Sequence, residues 1–125
     1  MDSVRVLLVD DQESFRRRAA AVVEATDGFL VAGCAGSGEE ALDVAATVRP
    51  HLVLMDINLP GIDGLAATCR LRALAQPPVV VLLSGYDEQD IDGWAHACGA
   101  AAYLAKSSFA SERLEAVWAE VAGSG

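Results

Sequence analysis

The chain has 125 residues, of which 53% are hydrophobic and 22% charged, a length and composition typical of one globular domain with its own core. Its formal net charge of −9 disfavours binding to nucleic acid or anionic lipid, and its three widely spaced cysteines disfavour a disulfide framework or a zinc ribbon. The amino terminus lacks the basic residues of a signal peptide, and no apolar run could span a bilayer, so we expect a cytoplasmic protein.

Five short apolar runs along the chain predict buried β-strands. They lie at residues 4–9, 29–35, 52–55, 79–83 and 101–105. The first four are rich in valine, leucine or aromatic residues. The fifth is rich in alanine and is assigned mainly from its context.

Each predicted strand is followed by a stretch with helical character, and four of these stretches carry apolar residues at helical spacing. The five predicted helices lie around residues 15–23, 41–48, 65–74, 88–97 and 114–121. The Pro77-Pro78 pair is expected to stop the third helix after Leu74, and Gly99 to end the fourth. Ser111 is placed to cap the fifth helix.

The alternation of strands and helices predicts an α/β fold with a parallel sheet covered on both faces. In such sheets the functional site lies at the carboxyl ends of the strands, near a switch in strand order. The residues that directly follow each strand are therefore the ones that can carry the chemistry.

Chemically active side chains stand at four of these strand ends. Asp10 and Asp11 follow the first strand, Asp56 follows the third, Ser84 ends the fourth, and Lys106 follows the fifth. Two carboxylates about 4 Å apart repel by roughly 4 kcal/mol near a protein surface, so three of them need counter-charges. Lys106 provides one, and a magnesium ion, which prefers oxygen ligands, would provide two more. A carboxylate held beside these cations is a nucleophile suited to attack on phosphorus.

Four segments of the sequence resemble the receiver domains of two-component response regulators. They are VLLVDD at 6–11, MDINLPGIDG at 55–64, LSG at 83–85 and YLAK at 103–106, in the family's order and spacing. The resemblance covers nearly the whole chain. It implies a flavodoxin-like (βα)5 three-layer sandwich with a five-stranded parallel sheet of order 2-1-3-4-5.

The resemblance also implies a role for each acidic residue of the predicted site. Asp56 resembles the aspartate that accepts a phosphoryl group from a histidine kinase. Asp10, Asp11, Asp56 and the backbone carbonyl of Asn58 match the positions that hold magnesium, Asp10 mainly through water.

Further roles follow from the same resemblance. Ser84, Gly85 and Lys106 match positions that bind the phosphoryl oxygens, and Ser84 and Tyr103 match the residues that move on activation. Asn58 and Tyr86 match positions that tune the lifetime of the aspartyl phosphate. In the family this movement alters the face built by the fourth helix, fifth strand and fifth helix.

The implied function is a phosphorylation-dependent switch and not a turnover enzyme, although the domain catalyses its own phosphorylation. We expect residues 1–122 to form the receiver domain and 123–125 to be a tail or the start of a linker. The implied partners are a sensor histidine kinase and a DNA-binding output domain outside this chain, with control of transcription. A homodimer is a further hypothesis, and neither membrane nor direct nucleic-acid binding is expected.

Two residues depart from the common receiver pattern. Ser107 stands where many receivers have proline after the lysine, which leaves open the peptide geometry there and makes the segment more similar to receivers of the NarL/LuxR type. Ser84 stands where threonine is common, and it retains the hydroxyl.

Two other classes of protein share some of these features. A haloacid-dehalogenase-type phosphatase also uses aspartate, magnesium, a hydroxyl and a lysine, but it needs Asp-x-Asp after its first strand, where this chain has Asp10-Asp11-Gln12. A receiver-like module that acts by protein contacts alone usually lacks one of the required groups, and this chain has them all.

The first helix carries three consecutive arginines, Arg16, Arg17 and Arg18. Three consecutive residues spread over about 200° of a helix, which argues against a nucleic-acid patch. Their arrangement favours a solvated helix face, with docking of the kinase as the alternative.

Overall fold

The computed structural model describes residues 3–57, 59, 61–85 and 99–123. Within them lie five strands, β1 (Val4–Val9), β2 (Phe29–Ala35), β3 (Leu52–Asp56), β4 (Val79–Ser84) and β5 (Ala102–Ala105). Four helices accompany them, α1 (Glu13–Ala25), α2 (Gly38–Val48), α3 (Gly64–Arg72) and α4 (Ser111–Gly123). The strands form one parallel sheet in the order β2-β1-β3-β4-β5, which confirms the predicted fold class and strand order.

The three central strands are buried on both faces, which explains why their sequences are continuous apolar runs. Alternate residues of each strand point to opposite sides of the sheet. One side, with Leu7, Val53 and Leu82, packs against α2 and α3. The other side, with Leu8, Leu54 and Leu83, packs against α1 and α4. The two cores make the molecule a three-layer sandwich.

Two helices begin with side-chain caps that fix the loops at the carboxyl edge of the sheet. The Ser37 hydroxyl accepts a hydrogen bond from the Glu40 backbone N–H, and the Glu40 carboxylate accepts one from the Gly36 N–H. The Asp63 carboxylate accepts a hydrogen bond from the Ala66 N–H at the start of α3. These caps satisfy N–H groups that a helix leaves without an internal partner.

The prediction for the end of the third helix was wrong. Helix α3 ends at Arg72, well before the Pro77-Pro78 pair, and Leu74 lies beyond it with 44% of its surface exposed. The N–H groups of Ala73 and Leu74 donate to carbonyls three residues back, which tightens the chain into a terminal turn. The Arg72 guanidinium also donates to the Pro78 carbonyl and joins the helix end to β4.

The prediction that Ser111 caps the last helix was also wrong. Ser111 is the first residue of α4, and the Ala110 carbonyl accepts the first helical hydrogen bond, from the Leu114 N–H. The Ser111 hydroxyl accepts a hydrogen bond from the Thr26 hydroxyl and donates to the Val22 carbonyl. It therefore connects the start of α4 to the end of α1.

The predicted helix at 88–97 lies outside the described residues. In the part of the chain that is described, no peptide bond is cis, so the bond between Lys106 and Ser107 is trans. Lys106–Ser108 form a single turn of 3-10 helix after β5. Among the described helices we find none whose length and apolar character would let it cross a membrane.

Candidate functional site

Three carboxylates meet at the carboxyl edge of the sheet, as the strand ends predicted. Asp56 is the last residue of β3, and Asp10 and Asp11 directly follow the neighbouring strand β1. One oxygen from each carboxylate lies within 4.8 Å of the others. Asp10 and Asp56 are buried, with 2% and 3% exposure, whereas Asp11 is exposed. The cluster is thus open to solvent on the Asp11 side.

Lys106 brings its ammonium group to this cluster from the end of β5. Its Nζ lies 2.6 Å from Asp10 Oδ2 and 3.3 Å from Asp56 Oδ2, and 18% of the lysine side chain is exposed. Burial by itself lowers the pKa of Lys106, but the close contact with Asp10 and the negative charges of Asp56 and Asp10 outweigh it. The pKa of Lys106 is therefore raised above its usual value, and the residue is a cation throughout the physiological range.

This raised pKa sets the expected behaviour of a Lys106→Met variant. The folded pKa exceeds the unfolded one, so Lys106 stabilises the fold fully below the ordinary lysine range and loses that effect as pH rises through the folded pKa. Without the ammonium, two buried carboxylates lose their counter-ion, and we expect the free energy of unfolding to fall by about 2 kcal/mol.

Urea denaturation of the wild type and the Lys106→Met variant measures this difference. We expect it to stay constant between about pH 7 and pH 9 and to shrink above about pH 10.4, the ordinary lysine range. A difference that disappears between about pH 7 and pH 9 would contradict the raised pKa.

The donor set of the acidic cluster fits a magnesium ion. All three ligands are carboxylate oxygens, which this cation prefers. Asp10 Oδ2 is buried, and among the described residues it has no aligned hydrogen-bond donor, although Lys106 Nζ is within ion-pair distance. Three carboxylates against one ammonium leave two negative charges uncompensated, which is the charge that one divalent cation supplies.

The structure places the predicted phosphate-binding residues beside this cluster. Ser84 ends β4 and is 2% exposed, and β4 lies between β3 and β5 in the sheet. Gly85 follows it and is exposed, and a Cβ atom on Gly85 would meet no described residue within 4 Å. Ser84 pairs with Ala105, the residue before Lys106, so the hydroxyl and the ammonium group belong to adjacent strand ends.

Tyr103 lies in β5, two residues before Ala105, and is partly buried against the core that includes α2 and α3. It pairs with Leu82 in the sheet register. Asn58 and Tyr86, the two predicted lifetime-tuning positions, lie outside the described residues, and so does the Asn58 carbonyl expected to bind magnesium.

The first residue of α3, Gly64, lies directly against the backbone at the end of β3. The Gly64 N–H donates to the Ile57 carbonyl, and the Ile57 N–H donates to the Leu83 carbonyl. A Cβ atom on Gly64 would lie 2.1 Å from the Asp56 carbonyl oxygen, far inside contact distance. Only glycine fits between α3 and the end of β3.

We therefore expect a Gly64→Ala variant to be destabilised by about 2 kcal/mol, because backbone must move to accept the methyl group. Urea unfolding measures the change. Gly85→Ala is the matched control, since its Cβ would meet nothing within 4 Å in the described part of the chain, and its stability should change by less than about 0.5 kcal/mol. Equal stabilities of the two variants would contradict this packing.

Two contacts of the site could not be read from the sequence pattern. The Phe15 ring was predicted only as part of the apolar stripe of α1. Its centroid lies 4.8 Å from Lys106 Nζ, so that the two side chains form a cation–π contact. The Arg16 guanidinium donates a hydrogen bond to the Asp10 backbone carbonyl. No motif signals either contact, because each depends on how far a side chain reaches across the fold.

Comparison with known proteins agrees with this geometry. The family described as the response regulator receiver domain matches residues 6–118. The chain is 38% identical over 121 residues to the transcriptional regulatory protein LiaR of Bacillus subtilis, covering 96% of this chain and 57% of LiaR. It is 37% identical over 120 residues to the response regulator GacA of Pseudomonas protegens, covering 96% of this chain and 56% of GacA. The chain thus spans little more than half the length of these curated relatives.

The solved structures give the same result. The signal receiver domain of the response regulator NarL from Mycobacterium tuberculosis superposes with a TM-score of 0.89 at 32% identity, covering 98% of this chain and 99% of that one. Neither the phosphatase nor the phosphate-independent module is favoured by these matches. The sheet order, the acidic edge, the paired lysine and the family match over residues 6–118 lead to one conclusion: the chain belongs to the receiver-domain family of two-component response regulators.

Proposed function

We propose that this receiver domain is a switch in which Asp56 accepts a phosphoryl group in a magnesium-dependent reaction. The observation that carries the proposal is the position of the Asp56 carboxylate. It is buried at the end of the central strand, within 4.8 Å of the Asp10 and Asp11 carboxylates, with its Oδ2 3.3 Å from the Lys106 ammonium. Asp10 Oδ1 accepts a hydrogen bond from the Gln12 N–H, and Asp10 Oδ2 is the nearer partner of Lys106.

Transfer would proceed by attack of an Asp56 carboxylate oxygen on the phosphorus atom of a phosphohistidine. The new O–P bond forms as the P–N bond breaks, and the histidine nitrogen of the kinase keeps the electron pair. Lys106 would offset the negative charge on the phosphoryl oxygens, while the Ser84 hydroxyl and the Gly85 N–H would donate hydrogen bonds to them. Asp10 and Asp11 would hold the magnesium ion together with Asp56 and the Asn58 carbonyl. When bound, the ion would supply positive charge that offsets the negative charge of the transferred phosphoryl group.

Phosphorylation would act as a switch because it changes the partners of Lys106. A phosphoryl group adds a charge of about −1.5 to −2, which competes with Asp10 for the ammonium. Ser84 lies one strand away from Lys106 and would shift toward the new oxygens. Tyr103 lies on β5, as does Ala105, the partner of Ser84 in the sheet, and would move with Ser84. This movement would change the face formed by the predicted fourth helix at 88–97, by β5 and by the fifth predicted helix, which is α4. Asn58 and Tyr86 would tune the lifetime of the phosphorylated state.

The partners follow from the family and the lengths of the relatives. We infer that a sensor histidine kinase phosphorylates this domain. We also infer that residues 1–122 form the receiver unit, with 123–125 as a tail or the start of a linker, although α4 itself ends at Gly123. The relatives named as transcriptional regulators favour a DNA-binding output domain in a longer protein and control of transcription. A homodimer in the active state and a cytoplasmic location complete the proposal. As a receiver domain it would act stoichiometrically and not as a turnover enzyme.

Incubation with acetyl phosphate and magnesium, followed by intact mass spectrometry, tests the proposal. We expect the mass to rise by one phosphoryl group, and we expect no rise when a chelator removes the magnesium. A rise that persists with the chelator would contradict the magnesium requirement. No rise with either acetyl phosphate or a phosphorylated histidine kinase would indicate the module that acts through protein contacts alone.

A further inference from the structure

We propose that Arg16 is a positioning residue for the magnesium site, because its guanidinium holds the backbone of the loop that carries Asp10 and Asp11. The inference rests on the proposed magnesium-dependent function. Arg16 is in the first turn of α1, is partly buried, and donates a hydrogen bond from Nη1 to the Asp10 carbonyl oxygen. A charged donor makes this bond stronger than a bond between neutral groups.

The contacts of Asp10 show what Arg16 contributes. The Asp10 N–H donates to the Ala35 carbonyl in β2, and Oδ1 accepts from the Gln12 N–H. Oδ2 lies next to Lys106. The backbone carbonyl of Asp10 is the fourth polar group, and the side chain of Arg16 is its partner. Arg16 thus joins the end of β1 to α1 at the point where the backbone turns to present two proposed ligands.

The start of α1 lacks a capping bond of the kind that begins α2 and α3. Gln12 occupies the cap position of this helix, but its side chain makes no capping hydrogen bond, in contrast to Ser37 and Asp63 at α2 and α3. The Arg16 N–H donates to the Gln12 carbonyl in the first helical turn. Arg16 therefore contacts the loop through both its backbone and its side chain.

The three consecutive arginines have different partners, which provides a matched control. Arg17 pairs with Glu13 on the surface of α1, and 79% of its side chain is exposed. Arg18 lies over the Phe15 ring. Among the described residues, Arg16 is the one of the three that donates a hydrogen bond to the segment carrying Asp10 and Asp11. The sequence favoured one solvated face for these three arginines. The structure instead gives Arg16 a partly buried position and a contact with the site.

Replacement of Arg16 should change the affinity for magnesium in opposite directions, according to whether its charge or its hydrogen bond matters more. A cation near three carboxylates disfavours magnesium, so removal of its charge alone would tighten the binding of the ion. Loss of the hydrogen bond would loosen the Asp10–Gln12 loop and weaken binding. The sign of the change therefore separates the two effects.

Isothermal titration of magnesium into the wild type, Arg16→Met, Arg16→Lys and Arg17→Met tests the inference. We expect Arg16→Met to bind magnesium about tenfold more weakly, as for residues that orient metal ligands. Arg16→Lys, which keeps the charge and a donor, should bind within about threefold of the wild type, and Arg17→Met should bind like the wild type. Magnesium binding by Arg16→Met that equals or exceeds that of the wild type would overturn the inference.

Magnesium-free urea unfolding shows whether each variant is folded. If Arg16→Met does not fold, Arg16→Gln replaces it with the same expected sign. Failure of the wild type itself to bind magnesium would instead contradict the proposed function. If the wild type and Arg16→Met bind magnesium equally well, the inference about Arg16 fails and the proposed function stands.

Discussion

An Asp56→Asn variant should take up no phosphoryl group from acetyl phosphate under conditions that phosphorylate the wild type fully. The amide is a far weaker nucleophile than the carboxylate, and the variant also lacks one of the three negative charges that favour magnesium. We expect the rate of phosphoryl uptake to fall by at least about a hundredfold, because loss of a nucleophile removes the covalent step itself. Intact mass spectrometry at a series of times measures the rate.

Asp43→Asn is the matched control for this experiment. Asp43 is an exposed residue of α2, so the variant loses the same charge away from the acidic cluster. It should be phosphorylated at the rate of the wild type. Uptake by Asp56→Asn at a comparable rate would mean that another residue is the acceptor.

An Asp11→Asn variant should be more stable than the wild type without magnesium and should bind magnesium at least about tenfold more weakly. Three carboxylates with oxygens within 4.8 Å repel one another, and Lys106 offsets this repulsion only in part. Asp11 is exposed, and water screens its charge, so we expect the free energy of unfolding to rise by only about 1 kcal/mol.

The same variant should gain less stability from magnesium than the wild type does. A ligand that binds only the folded state at a hundred times its dissociation constant stabilises by about 2.7 kcal/mol. At that magnesium concentration a site that binds tenfold more weakly gains only about 1.4 kcal/mol, so added magnesium should cancel the stability advantage of Asp11→Asn. Urea unfolding with and without the ion measures both changes.

Asp27→Asn is the control, because Asp27 is exposed in the loop between α1 and β2, at the edge of the sheet opposite the acidic cluster. It should respond to magnesium as the wild type does. A loss of stability in Asp11→Asn without magnesium would contradict the proposed repulsion. An unchanged magnesium response would exclude Asp11 as a ligand.

The strands and the sheet could be predicted well because burial on both faces leaves a simple pattern. The runs at 4–9 and 29–35 match β1 and β2 residue for residue, and the other three differ from the structure by one residue at one end. Helix ends were less predictable. The end of α3 is set by a terminal turn and a contact from Arg72 to Pro78, and Ser111 bonds to Thr26, a residue distant in sequence. Sequence spacing contains no information about such contacts.

The acidic site could be predicted for a topological reason. Parallel strands end at the same edge, so Asp10, Asp11, Asp56, Ser84 and Lys106 had to meet there once the strands were assigned. The sequence could not predict which carboxylate lies nearest to Lys106. In the structure the lysine is closer to Asp10 than to Asp56. The contacts of Phe15 and Arg16 were also not predicted, because a stripe of apolar residues and a run of arginines each have several possible partners.

The most direct test of the central claim is to identify the phosphorylated residue. Borohydride reduces an aspartyl phosphate to homoserine, which marks the acceptor permanently for peptide mass spectrometry. After treatment with acetyl phosphate and magnesium, we expect homoserine at position 56 and aspartate at positions 10 and 11. Homoserine at either of those positions, with Asp56 unmodified, would contradict the assignment of Asp56 as the phosphoacceptor.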